Sequence, residues 1–114
     1  MSWKVDFLRT AGGREPIAEF LDSLSVKERT KALRVIRLLE EFGPRLGMPH
    51  GKPIAGNLRE LRAVFGGKAI RLFYTKLKDE YIILHGFIKK SQKTPTKEIK
   101  TADERLNLIK RGNL

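Results

Sequence analysis

At 114 residues the chain is long enough for one domain with a single hydrophobic core and too short for two. Its 40% hydrophobic and 32% charged residues give a globular rather than a disordered composition, and the absence of cysteine excludes disulfides, thiolate nucleophiles and Cys-containing zinc sites. The formal net charge is +11, concentrated in residues 45–100, which hold thirteen Lys/Arg against four Asp/Glu, while residues 1–44 hold eight against seven. Such a charge points to a polyanionic partner, with nucleic acid ahead of membrane because no segment is a basic amphipathic helix with an aromatic face. No apolar run reaches the length of a signal peptide core or a membrane span, so a cytoplasmic protein without a membrane partner is expected.

In chain order, Trp3, Val5 and Phe7 alternate with Lys4 and Asp6, the period of a short half-buried strand that Gly12-Gly13 ends. Pro16 suits a first helical turn, and Ile17, Phe20, Leu21 and Leu24 follow at helical spacing. Ser25-Val26-Lys27-Glu28 has the pattern of a capping box. The helix it starts carries Ala32, Val35, Ile36, Leu39 and Phe42 as its apolar stripe, and Gly43-Pro44 stops it. An antiparallel helix pair packed on a sheet is expected. Residues 43–57, rich in glycine and proline, are predicted to be an irregular surface connection holding His50 and Lys52. Leu58 to Val64 reads as a strand, Gly66-Gly67 as a two-residue hairpin loop and Lys68 to Lys76 as the partner strand. Past the polar Lys78-Asp79-Glu80 turn, Tyr81 to Lys89 is the most apolar strand and suits the sheet interior. Thr94-Pro95 fits the N-cap and first position of a last helix, on which Ile99, Ala102, Leu106 and Ile109 share a face. The predicted order is βααβββα, an α+β domain spanning residues 1–114 with a four-stranded, mostly antiparallel sheet.

The hairpin loop at Gly66-Gly67 sets Arg62 opposite Arg71. Like charges directly across two strands destabilise, so the pair is not explained by fold stability, and a phosphate between them would relieve the repulsion. An even loop at Lys78-Asp79 sets Gly86 opposite Arg71, leaving room for a ligand, and places His85 on the other face; a one-residue bulge would instead bring His85 round beside the arginines. Paired guanidinium groups suit a phosphodiester and the charge that builds on it during cleavage. Lys89, Lys90 and Lys93 would steer the strand or assist a leaving oxygen. Metal-free RNA cleavage also needs a proton acceptor for the 2′-OH and a donor for the 5′ oxygen, for which His85, His50 and Tyr74 are the candidates. No Asp/Glu/His cluster has metal-ligand spacing, and no cofactor is expected.

Three blocks, Leu58-Arg59-Glu60-Leu61-Arg62, Arg71-Leu72-Phe73-Tyr74 and Leu84-His85-Gly86-Phe87-Ile88-Lys89-Lys90-Ser91-Gln92-Lys93-Thr94-Pro95 with the helix after it, resemble the RelE/HigB superfamily of bacterial toxins, in particular its phage-derived HigB-like branch. The resemblance covers nearly the whole chain. It implies a helix pair on a strongly twisted sheet and a toxin that cuts messenger RNA in the ribosomal decoding site. It also implies neutralisation by a cognate antitoxin, often a helix-turn-helix protein through which operator DNA is bound. The implied phosphate-contacting residues are Arg62 and Arg71, with Lys90 among the basic residues at the end of the last strand. His85 and Tyr74 complete the candidate catalytic set. Lys52, Arg59, Lys68, Lys89 and Lys93 form the candidate RNA-binding set. The competing readings are a non-enzymatic RNA- or DNA-binding module, for which the basic sheet suffices, and a regulatory interaction subunit whose basic face meets an acidic partner.

Overall fold

Gly66 and Gly67, at φ 53° and 77°, make the two-residue turn that a tight hairpin needs, with positive φ at both central positions. The turn joins Leu58–Phe65 (β3) to Lys68–Leu77 (β4) in the predicted register, from Phe65 opposite Lys68 through Arg62 opposite Arg71 to Arg59 opposite Tyr74. The computed structural model describes residues 2–47, 50–89 and 96–111. Lys4–Phe7 (β1), Gly51–Ala55 (β2) and Glu80–Lys89 (β5) complete a five-stranded sheet of order β1-β5-β4-β3-β2, in which only the β1–β5 pairing is parallel. The apolar β5 lies inside the sheet, as expected.

The fifth strand is the main correction. β2 lies within residues 43–57, which were predicted to be an irregular connection. As an edge strand it tolerates Pro53, whose missing N–H breaks no interior ladder, and the register shifts between Pro53 and Ala55. Ala55 pairs with Leu58 around Gly56-Asn57, a two-residue hairpin loop with Gly56 at φ 53°.

Of the two β4–β5 registers the sequence allows, the strands adopt the bulged one. From Leu77 opposite Glu80 to Tyr74 opposite Ile83 the pairs run as an even loop dictates, but a bulge then shifts them by one residue. Arg71 therefore faces Phe87, Leu72 faces Gly86 and Phe73 faces His85. His85 joins the face of Arg71, and Gly86 turns to the opposite face. There a Cβ on Gly86 would come within 2.5 Å of the Phe20 ring and 2.9 Å of the Leu72 side chain. The space beside Gly86 is filled by Phe20, not left for a ligand.

Pro16–Ser23 (α1) and Val26–Phe42 (α2) cover the face to which Gly86 points, burying Ile17, Leu21, Ala32, Val35, Ile36 and Leu39. The capping box is present: the Ser25 hydroxyl accepts from the Glu28 N–H at 3.2 Å, and Glu28 Oε1 accepts from the Ser25 N–H at 2.9 Å. Gly43 ends α2 at φ 53°, where a Cβ would meet the Trp3 indole at 2.5 Å, so the stop signal is also a close-packing position. Phe42, placed in the apolar stripe by its spacing, is 37% exposed. Thr96–Lys110 (α3) packs on β5 from the His85 side, burying Ala102 and Leu106. The sheet is thus covered by helices on both faces. Thr94 and Pro95, the predicted cap, lie outside the described residues.

Candidate nucleic-acid interface

The α3-side face carries an unusual density of charge. Register places Lys52 beside Glu60, Arg62 beside Arg71 and Lys89 beside Ala69, all on one side of the sheet. Arg71 is 1% exposed, Glu60 0% and Lys89 6%. The repulsion between Arg62 and Arg71 is offset by Glu60, whose Oε1 lies 3.3 Å from Arg71 Nε. Glu60 is two residues before Arg62 on the same strand and diagonal to Arg71 across the hairpin, a position the confirmed register alone would have revealed. Breaking such a buried pair leaves an uncompensated charge, so Arg71 has a structural duty besides any contact with a ligand.

Arg62 is differently placed. It is half-buried, and its Nε is buried without a hydrogen-bond partner among the described residues. A guanidinium with an unsatisfied donor at the edge of a charged face suits a bidentate anion such as phosphate. Lys52 stands half-buried on the same face, one strand further out.

His85 is held at both ring nitrogens. Nε2 lies 2.7 Å from Glu98 Oε1 of α3, and Nδ1 lies 3.4 Å from Arg105 Nη1, which also donates to the Leu84 carbonyl at 2.7 Å. A guanidinium can only donate and a carboxylate only accept, which assigns the ring proton to Nε2. Burial lowers the Arg105 pKa from its ordinary value, with a smaller contribution from Arg14. In this arrangement His85 fastens α3 to β5.

The remaining expected residues separate. Tyr74 and Arg59 face each other on the α1/α2 side, with Tyr74 1% exposed and Arg59 Nε donating to its hydroxyl at 3.3 Å. Tyr74 also packs edge-on against Tyr81, with ring centroids 5.6 Å apart. Lys68 is on that side too, its Nζ 2.6 Å from Glu28 Oε2. Chiefly through the Lys68 contact and then the Ser25 N–H, the Glu28 carboxyl is held down at about 2. His50 is exposed, and its carbonyl accepts from the Arg62 N–H at 2.8 Å. Lys90 and Lys93 lie outside the described residues. The structure therefore gathers Lys52, Arg62, Arg71, His85 and Lys89 on one face and leaves Arg59, Lys68 and Tyr74 on the other. Among the described residues no group of three His, Cys, Asp or Glu side chains is placed to hold a metal, and no helix is long and apolar enough to cross a membrane.

Helices on both faces of this sheet, with the charges gathered beside α3, make an α+β fold. The structure is similar to a chain of the archaeal RelE–RelB complex from Pyrococcus horikoshii OT3, with a TM-score of 0.52 and 17% identity over 82% of this chain and 100% of that one. Residues 19–107 match the family model for phage derived protein Gp49-like (DUF891), and the chain belongs to that family, a branch of the RelE/HigB-type toxins. No curated protein matches it by sequence.

Proposed function

We propose that this chain is the toxin of a toxin-antitoxin pair and an endoribonuclease that cuts messenger RNA on the ribosome. The observation that carries this reading is Arg62: a guanidinium with a buried donor that no described residue satisfies, set opposite Arg71 on a face that also holds Lys52 and Lys89. Arg62 contacts the scissile phosphate, and Arg71, anchored by Glu60, adds positive potential from beneath it. Half-buried Lys52, with Lys90 and Lys93 of the sequence, tracks the RNA backbone, while buried Lys89 adds positive potential from within the face. Cleavage proceeds by attack of the 2′ oxygen on the adjacent phosphorus, forming the P–O2′ bond and breaking the P–O5′ bond. One proton must leave the 2′-OH and one must reach the departing 5′ oxygen.

Proton transfer is where this face is poor. Both His85 nitrogens are engaged by α3, and Tyr74 is buried on the other side of the sheet. This supports ribosome dependence, in which the ribosome aligns the 2′ oxygen for in-line attack and the toxin supplies charge. A role for His85 in proton transfer requires α3 to move, and Lys90 is the other candidate. The partner is a cognate antitoxin, by analogy with the RelE–RelB complex, of helix-turn-helix type and itself the link to operator DNA. Inducing the chain alone should stop growth with loss of full-length messenger. Growth arrest with intact coding RNA and no new 5′ ends would replace the nuclease with a protein that blocks or sequesters.

A further inference from the structure

Past the Arg62 N–H that donates to the His50 carbonyl, the outer edge of β3 has no strand beside it among the described residues, and between this edge and α2 the surface sinks into a cavity of about 270 Å³. The polar side chains lining it are Lys31 and Arg34 of α2, His50 and Arg62, with no acidic group among them. Its walls are apolar: Val35 and Leu38 from the helix, Ala63 and Val64 from the strand. That volume lies at the small end of ligand pockets, suited to a body the size of one nucleotide.

Two features call for an anion with an apolar body. Basic groups crowded round a small cavity repel one another until a counter-charge enters, and the buried Arg62 Nε lacks an acceptor among the described residues. Inorganic phosphate would leave the walls uncovered. A peptide carboxylate brings a single charge, whereas a phosphate monoester brings close to two on one group, a better match to Lys31, Arg34 and Arg62 together.

We propose that this cavity binds a nucleoside monophosphate, with its phosphate among Lys31, Arg34 and Arg62 and its base or sugar against Val35 and Leu38. The group is either a free nucleotide or one residue of an RNA strand leaving the basic face, since Arg62 stands at both places. The inference extends the RNA-binding reading, and it is tested by occupancy rather than cleavage.

The test is titration of the full-length 15N-labelled protein with adenosine 5′-monophosphate, with adenosine, and with a short 2′-O-methyl oligoribonucleotide whose blocked 2′ oxygens prevent cleavage. The monophosphate should shift the amides of Arg34, Leu38, His50 and Val64 saturably, and adenosine far less. Arg34→Ala, at an exposed helix position, should weaken the monophosphate about tenfold with the rest of the spectrum unchanged, and Lys31→Ala should act in the same direction. Tighter binding of the oligonucleotide at the same amides identifies a strand residue, and equal affinity identifies a free nucleotide. The proposal is overturned if the monophosphate moves none of these amides, if both variants bind it like wild type, or if a glutamate-rich peptide displaces it at equal charge. Because the ligands stay uncut, loss of cleavage with occupancy retained would count against the nuclease reading alone.

Discussion

On the face that carries α1 and α2, Leu61 meets Leu72 and Ala63 meets Ile70, all buried and apolar. One residue along the same strands, the other face sets Arg62 against Arg71 and buries Glu60, with buried Lys89 beside them on β5. Backbone and register are shared, so the contrast isolates what side chains contribute. The apolar face is held by area removed from water, which tolerates conservative repacking. The charged face is held by complementarity: each ion needs its partner, and removing one costs more than removing both. A buried ion pair is also often replaceable by apolar residues without loss of stability, so stability alone does not account for Glu60 and Arg71.

The largest effect should follow from separating that pair. Sequence alone would have Arg71→Ala neutral or slightly stabilising, through relief of its repulsion with Arg62. With Glu60 3.3 Å away, the expectation reverses. Arg71→Ala should destabilise by about 3–5 kcal/mol in urea unfolding, and Glu60→Leu with Arg71→Met should restore most of it. Leu72→Ala on the apolar face should cost about 2–5 kcal/mol with no such rescue by a second deletion. A wild-type midpoint for Arg71→Ala would erase the contrast between the faces.

Loosening α3 should have a smaller effect. Glu98→Gln removes the carboxylate that His85 faces at 2.7 Å, at a cost of about 1–3 kcal/mol. Amide exchange should quicken along α3 while the β3–β4 hairpin stays protected. Uniform quickening throughout would mean that His85 and Glu98 hold the whole domain, not one helix.

The smallest effect belongs to the helix side. Glu28 is lowered from an ordinary 4.5 to about 2, so its contribution to stability is complete above about pH 4.5 and disappears as the pH falls towards 2. Glu28→Gln should flatten the stability profile across that window. An acid limb as steep as wild type would assign the titration to other carboxylates.

Much of this architecture was legible in the sequence because local signals and the final packing agree. Ser25 with Glu28, Gly43-Pro44 and Gly66-Gly67 each fix their own geometry, and the hairpin register that sets Arg62 against Arg71 follows from the last of them. β2 was hidden by Pro53 and the density of glycine around it, although Gly56-Asn57 is itself a hairpin signal. The bulge in β5 was not legible, because an even loop and a shifted strand have the same sequence. It decides whether His85 or Gly86 faces the arginines. Glu60 was missed because its partner is diagonal rather than opposite. The alternative of a non-enzymatic binding module fits the same basic face and is separated from the nuclease reading by chemistry alone.

The most direct measurement is primer extension on messenger RNA incubated with purified protein, once naked and once on programmed ribosomes, comparing wild type with Arg62→Ala after confirming that the variant unfolds at the wild-type midpoint. New 5′ ends should appear within the coding region on ribosomes, only weakly on naked RNA, and not with Arg62→Ala. Equal cleavage of naked RNA would place a complete active site in the protein itself, and normal cleavage by Arg62→Ala would contradict the phosphate contact on which the account rests.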